Sequence, residues 1–448
     1  MAGEARVDVG PEEPERQPAI AGRALGTSFA ASAAIQLLNV ITGILLARTL
    51  GPTGRGALAA ALLWPMLLGG IGLMGVMEAA TYHAARRTAP VATLIGSGLA
   101  LVFVQSLVFT ALAALLLPVV LENQSSEALE AGRIFLAYIP VNMAALFLAG
   151  ILNGRKHFGL FQIVRLLVIV ATVILLAALA IGDTLTVIHA VIAYLAAMAL
   201  TLAVAVVFVR RDAGGLGFDR AVARTLFAYG IRSHASTISS QFNERLDQVV
   251  ISIFLSSRSL GIYVIAVTLT SATYLVGVSA SWVVLPQVAP LEPGPERTTL
   301  ARRFVQLTLA ASFLISVPIA LLADPLIRVF FGDAFAAAAG PTRLLVLAVV
   351  LLSVNRVLEA ILRAVGRPLD AGVAELIALG ATLAGLAVLV PLIGLMGAAG
   401  ASLLAYGVST AWMSRRVSVA LGMRAREVLA FRRADIRWMR DRVVGHAR

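Results

Sequence analysis

With 59% hydrophobic and 13% charged residues in 448, the side chains able to do chemistry are the few polar ones stranded inside apolar runs. The densest group is Asn243-Glu244-Arg245-Leu246-Asp247-Gln248. On an unbroken helix Asn243 and Glu244 share a face with Asp247, four and three residues on, while Arg245 projects elsewhere. Ionisable groups at the centre of a membrane span cost at least about 2.5 kcal/mol each, so those retained usually face a cavity or a partner. Two readings of the group stay open. It lines a water-filled cavity, with Asn243 and Arg245 for a polar, anionic substrate and Glu244 and Asp247 for ion or proton coupling; or it is a self-neutralising packing cluster.

A second group holds Asn355, Arg356 and Glu359, with Arg363 nearer the span end. Arg356 and Glu359 can pair at three apart, either as a cavity cation with a coupling carboxylate or as a local ion pair. Gln36 and Asn39 in the first apolar run, Gln105 in the third and Asn142 in the fourth are single amides suited to bonding between helices. Gln36 and Asn39 are also candidates for substrate contact. Glu78, Arg165 and Glu375 fall near span ends, where snorkelling accounts for them. Cysteine is absent, which excludes thiolate nucleophiles and thiolate metal sites. The sequence also lacks a GxxxxGK[ST] loop, an HExxH pair and a Gly-rich dinucleotide turn. No cofactor, metal or enzymatic chemistry is therefore expected.

The elements that must hold these residues are membrane helices. A mean hydropathy of +0.91 over so long a chain exceeds what one buried core can absorb, because most of a soluble protein's surface must stay wettable. Apolar runs of spanning length lie near 25–50, 57–81, 93–121, 134–152, 159–181 and 187–209, then 231–255, 260–285, 303–322, 341–362, 372–392 and 394–414. The expected architecture is an all-α polytopic membrane protein of about twelve transmembrane helices. Residues 1–24, rich in Pro and Glu, read as a disordered cytoplasmic tail with no secretory signal. Residues 25–209 form a first six-helix bundle, 210–230 a cytoplasmic linker, and 231–414 a second bundle. Residues 415–448 alternate arginine with apolar residues as an amphipathic tail against anionic lipid. The formal charge of +12, carried by arginine with Lys156 as the only lysine, fits loops at an anionic leaflet better than nucleic acid.

Counting arginines over the short loops places both termini in the cytoplasm. An offset of 210 residues relates the halves. It carries Arg48-Thr49-Leu50-Gly51 onto Arg258-Ser259-Leu260-Gly261, Ile151-Leu152 onto Ile361-Leu362 and Arg165 onto Glu375. Two halves of six spans enter the membrane from the same side, as in parallel repeats with a binding cavity between them.

The run Leu46-Ala47-Arg48-Thr49-Leu50-Gly51-Pro52-Thr53-Gly54-Arg55-Gly56 resembles the first loop of polysaccharide flippases in the multidrug/oligosaccharidyl-lipid/polysaccharide exporter superfamily. Asp247 before Val249-Val250-Ile251, then Leu260-Gly261-Ile262-Tyr263 and Val284-Leu285-Pro286, is similar to that family's seventh and eighth helices. The resemblance covers about residues 25–415. It implies two bundles around a V-shaped cavity and alternating access that carries a polyprenyl-diphosphate-linked oligosaccharide across a bacterial inner membrane, in association with polysaccharide assembly enzymes. By this resemblance Arg245, Arg356 and Arg48 are the cations for the diphosphate, a task that suits arginine's planar fork of donors. Lysine is absent from the spans, and twelve helices instead of fourteen argue against a lipid II flippase with an extra pair. A cation-coupled multidrug antiporter of the same superfamily and a membrane-embedded enzyme of glycan assembly are the alternatives.

Overall fold

The computed structural model describes residues 16–213 and 215–430, which are helical almost throughout. Helix α1 (Arg16–Gly72) is too long to be one crossing, at about 1.5 Å per residue, and Gly51 divides it with φ 65°. That left-handed backbone suits a residue without a β-carbon, and Pro52 opens the second limb, where a missing N–H costs nothing. After a turn at Gly75, α2 (Val76–Arg86) continues the second limb. Then follow α3 (Val91–Val120), α4 (Ser126–Phe135) bent by 40° from α5 (Tyr138–Gly154), α6 (Phe158–Ile181) and α7 (Val187–Ala213). The second half holds α8 (Arg220–Asn243), α9 (Leu246–Phe254), α10 (Ser257–Val288), α11 (Pro295–Leu321), α12 (Ala323–Phe330), a 3-10 turn over Asp333–Ala338, α13 (Ala339–Ala364), α14 (Pro368–Leu421) and α15 (Ala425–Leu429). Helix α14 is itself divided, at Ile393 and Gly394. With α1 and α14 counted as two limbs each, and α4–α5 and α8–α9 as one bent span each, the chain makes twelve crossings. It is a multi-pass membrane protein of two six-helix bundles.

Several expected boundaries move. The tail assigned to 1–24 is helical from Arg16, and residues 1–15 lie outside the described residues. The linker assigned to 210–230 shrinks to the stretch between Ala213 and Arg220, because Arg220 and Arg224 extend the helix past its apolar part. Of the amphipathic tail, 415–421 continue α14, and α15 tucks Val428 into the second bundle. Its arginines from Arg432 onward lie outside the described residues.

The repeat holds for part of its length. Helix α5 ends at Gly154 and α13 at Ala364, and α6 opens at Phe158 and α14 at Pro368, each pair 210 residues apart. The tetrapeptide match does not hold. Gly51 is a helix break, whereas Gly261 lies inside α10 with its α-carbon pressed on the Pro52 carbonyl.

Burial explains how the bundles meet. One apolar core, with Leu46, Ala57 and Phe135 from the first half and Leu246, Tyr263 and Leu345 from the second, joins the halves at the Gly51 end. At the opposite end there are two separate cores, the first of which takes in Leu226 of α8 beside residues of the first half. The amphipathic α12 covers the Gly51 end, its Ile327 buried with Ala47 and Ile265. Hydrogen bonds to Asp324 and Asp333 hold the guanidinium of Arg328, on the outer face of α12, above its ordinary pKa. Outward-facing Phe103, Val104 and Leu107 of α3 are 59–66% exposed, an apolar stripe that lipid and not water must cover.

Candidate functional site: a central cavity with unequal pairing

Helices α8 and α9 do not form the continuous span that the spacing implies. The helix stops at Asn243 and resumes at Leu246, with Glu244 and Arg245 in a turn between them. The shared face expected for Asn243, Glu244 and Asp247 is therefore lost. A broken span at membrane depth is tolerated where its freed backbone lines a cavity or is enclosed by protein, and both apply here. The inner limb α8 packs on the first bundle: Tyr229 stacks on Tyr82 with centroids 4.4 Å apart, and Gly230 meets Gly75 backbone to backbone. Helix α9 packs on the second bundle, where Tyr263 donates to Asp247 Oδ2 at 2.6 Å. The span thus bridges the two bundles and bends where it passes from one to the other.

At the bend lies a cavity of 390 Å³ lined by Gln36, Asn39, Arg55, Glu244, Arg245 and Asp247, with Tyr194, Tyr274 and Tyr406 among its walls. Gln36 and Asn39 of α1, Arg245 and both acids of the bend are thus brought together. Asn243 is buried behind them, where Thr382 donates to its Oδ1 at 2.8 Å. Arg356 stands further back, outside the lining residues. It pairs with Glu244, with Glu359 at 3.0 Å and with Glu375 at 3.5 Å, and Arg363 also holds Glu359. Glu375, read from sequence as a snorkelling residue, is a largely enclosed partner of Arg356, its side chain 13% exposed. Arg48 is elsewhere: it is exposed at the Gly51 end and donates through Nε to the Phe330 carbonyl at 2.9 Å, and to that of Val329.

Arg55 was not legible as a site residue. The sequence places Arg55 in a loop after Gly51, but Pro52 starts a helix at once, so Arg55 is one turn into a span and faces the cavity. A Gly-Pro pair read as a hairpin between two limbs, instead of as a loop, was the available signal. The tyrosines carried no such signal.

The charges in the cavity are unequally engaged. Glu244 is held by Arg356 and by the Tyr274 hydroxyl at 2.8 Å. Asp247 accepts from Tyr263 and from the Gln248 backbone N–H at 2.7 Å. Against this, Arg55 Nε is buried without a partner, and Arg245 reaches Gln248 Oε1 at the weak distance of 3.5 Å. The first turn of α9 opens at Arg245, so the positive end of its dipole lies at the same place. Two guanidinium groups with donors to spare beside a helix N-terminus suit an anion, whereas Glu244 and Asp247 already have partners.

The cavity is closed on the Gly51 side. The loop after α3 reaches across, with Asn123 donating to Ile253 O at 2.8 Å and Gln124 to Ser252 O and Leu255 O, both at 2.7 Å. Ser257 Oγ donates to Gln124 Oε1 at 2.9 Å and accepts from the Ser125 N–H at 3.0 Å. Beneath them Gly56 touches the Ser257 carbonyl so closely that a β-carbon would sit 1.6 Å from it.

Comparison with known proteins agrees with this architecture. The model of the family described as polysaccharide biosynthesis protein matches residues 23–291. A probable low-salt glycan biosynthesis flippase of Haloferax volcanii is 28% identical over 192 residues, 42% of this chain. The match spans 40% of that relative's length. Among solved structures, a lipid II flippase in an inward closed conformation superposes with a TM-score of 0.75 at 15% identity, covering 90% of this chain and 89% of the other. An inward-facing multidrug resistance transporter of the MATE family superposes at 0.66 and 18% identity, covering 86% and 94%. The fold is that of the multidrug/oligosaccharidyl-lipid/polysaccharide exporter superfamily, and the chain belongs to the polysaccharide biosynthesis protein family.

Proposed function

We propose that the protein is a flippase that moves a polyprenyl-diphosphate-linked oligosaccharide across the inner membrane for cell-surface polysaccharide synthesis, with both termini in the cytoplasm. What carries this reading is the pairing in the cavity, where Arg55 and Arg245 keep free donors while the acids already accept hydrogen bonds from Tyr274 and Tyr263. A diphosphate takes bidentate bonds from such guanidinium groups, Gln36 and Asn39 offer amides to sugar hydroxyls, and the polyprenyl tail stays in lipid. Arg356 acts from behind, fixing Glu244 at the bend. Arg48 acts at the closed end through the carbonyls of α12.

Transport needs no covalent chemistry. Diphosphate binding neutralises the two cavity cations and draws the bundles together on the cytoplasmic side. The Gly51 end then opens. The hydrogen bonds of Asn123, Gln124 and Ser257 that close it join neutral groups and contribute about 0.5–1.5 kcal/mol each, small enough to break in each cycle. Glu244, Asp247 and Glu359 are the groups through which an ion gradient resets the carrier. Polysaccharide assembly enzymes are the partners that would supply the substrate and take it onward.

The test is leaflet-resolved transfer of a short lipid-diphosphate-linked oligosaccharide in proteoliposomes, with and without an ion gradient. Transfer faster than in protein-free vesicles is expected; none, with folded protein and several glycans tried, removes the proposal. A second reading, a cation-coupled multidrug antiporter, is favoured by one observation: Asp247 is buried beside the cavity with its proton-exchangeable partner Tyr263. Proton-coupled dye efflux that Asp247→Asn abolishes would establish it.

A further inference from the structure

We infer that the central cavity selects a substrate whose sugar next to the diphosphate is uncharged and rich in hydroxyl groups, and rejects one that carries a carboxylate there. The inference rests on the flippase reading and adds a rule of specificity to it.

The charges of the lining set the first half of the rule. Among the described residues that line the cavity, the cations are Arg55 and Arg245 and the acids are Glu244 and Asp247. A diphosphate engages both guanidinium groups, one at each phosphoryl group. No cation of the described lining is then left for a further anion. Arg356, behind the lining, is already held by Glu244, Glu359 and Glu375. A carboxylate on the adjoining sugar would lie uncompensated near Glu244 and Asp247, and at membrane depth an unpaired charge is costly.

The size of the cavity brings the adjoining sugar among these residues. At 390 Å³ it is near the lower end of ligand pockets, which run to about 300–1,000 Å³. It has room for the diphosphate and the sugar joined to it, while a longer glycan extends beyond. The rule therefore concerns the first sugar.

Hydroxyl chemistry sets the second half. On α10, Thr268 Oγ1 donates to Val264 O at 2.8 Å, Thr270 Oγ1 to Val267 O at 3.0 Å and Ser271 Oγ to Thr268 O at 2.6 Å. All three residues line the cavity. Each hydroxyl has its one proton committed to its own helix and keeps lone pairs for the cavity. Tyr274, on the same helix, has given its proton to Glu244. This wall accepts hydrogen bonds. A sugar hydroxyl donates them, whereas a carboxylate only accepts and gains nothing from the wall. Gln36 and Asn39 can donate or accept, so they hold either sugar.

The experiment compares three lipids: a polyprenyl diphosphate carrying glucose, glucuronic acid or the methyl ester of glucuronic acid. Each is titrated into full-length protein in neutral detergent and followed by leaflet-resolved transfer in proteoliposomes. The glucose and ester lipids should bind alike, and the glucuronic acid lipid at least about 10-fold more weakly, as one uncompensated charge requires. Its transfer should be slowed in step. Thr268→Val with Ser271→Ala, which keeps the packing, should weaken binding of the glucose lipid about fivefold without moving the unfolding midpoint. Equal affinity for the glucose and glucuronic acid lipids overturns the inference. Weak binding of the ester does so too, because shape and not charge would then decide. Unaltered binding of the glucose lipid in the double variant overturns the accepting wall. Failure of all three lipids to bind or move removes the flippase reading and this rule with it.

Discussion

Arg55 and Arg245 line the cavity with spare donors and no carboxylate paired to them, whereas Arg356 is paired with three carboxylates, and that difference sets what their loss should do. Arg55→Ala and Arg245→Ala should each slow leaflet transfer about 10- to 100-fold, the value of a charge-assisted hydrogen bond of about 1.5–3 kcal/mol, with little change in thermal stability. Arg133→Ala, on the exposed face of α4, should transfer normally in the same vesicles. Arg356 should behave in the opposite way. It is the common partner of Glu244, Glu359 and Glu375, with side chains 12–33% exposed, so Arg356→Ala leaves Glu244 and Glu375 without a counter-ion, while Glu359 keeps Arg363. That should destabilise the fold by about 3–5 kcal/mol, seen as a lowered unfolding midpoint in detergent. A stable Arg356→Ala protein with defective transport would instead place Arg356 in the substrate path. Part of this site was legible in the sequence: charged residues in apolar runs singled out Arg245, Arg356 and their acids. Sorting them into engaged and available cations was not, because partners such as Tyr274, Glu375 and Tyr263 come from other helices.

At the scale of elements, the span formed by α8 and α9 is divided between bundles, and the second limb of α1 meets α10 across the closed end. The contact of Gly56 with Ser257 O permits no β-carbon, since 1.6 Å is far inside van der Waals distance. Gly56→Ala should force α1 and α10 apart at that point. Overpacking of this kind costs about 1–3 kcal/mol, and it falls on the state closed at the Gly51 end. The variant should therefore show a lower unfolding midpoint and greater labelling of a cysteine placed at Ser252. Equal labelling in both backgrounds would mean the glycine contact does not hold this end shut. The bend at Glu244 and Arg245 escaped the sequence because nothing there breaks a helix locally: no Gly or Pro lies between Asn243 and Leu246. The packing of α8 on α2 and of α9 on α10 decides it.

Across the whole molecule, one core is shared at the Gly51 end and separate cores lie at the other, the asymmetry that the proposed alternating access requires of a state closed at one end. The native chain has no cysteine, so an engineered pair reports cleanly on that motion. Ser125 N lies 3.0 Å from Ser257 Oγ across the bundles, which brings these positions within reach of a disulfide. Ser125→Cys with Ser257→Cys should cross-link on mild oxidation and stop transport, with recovery on reduction; either single variant should be unaffected. Full transport by the cross-linked protein would exclude opening of this end as a step in the cycle.

The sequence by itself determined the number of crossings, the pairing of α5–α6 with α13–α14 and the neighbourhood of the cavity. Each of these follows from local properties: apolar length, a repeated spacing, and the cost of a charge in lipid. Only the tertiary structure decided that Gly51 and Pro52 turn Arg55 inward, that the tetrapeptide repeat around Gly261 has no structural counterpart, and that Arg356 is enclosed by acids while Arg245 is not. The physical reason is common to all three. Whether a polar group in a membrane is satisfied depends on what the neighbouring helices bring to it, and spacing along one helix cannot supply that.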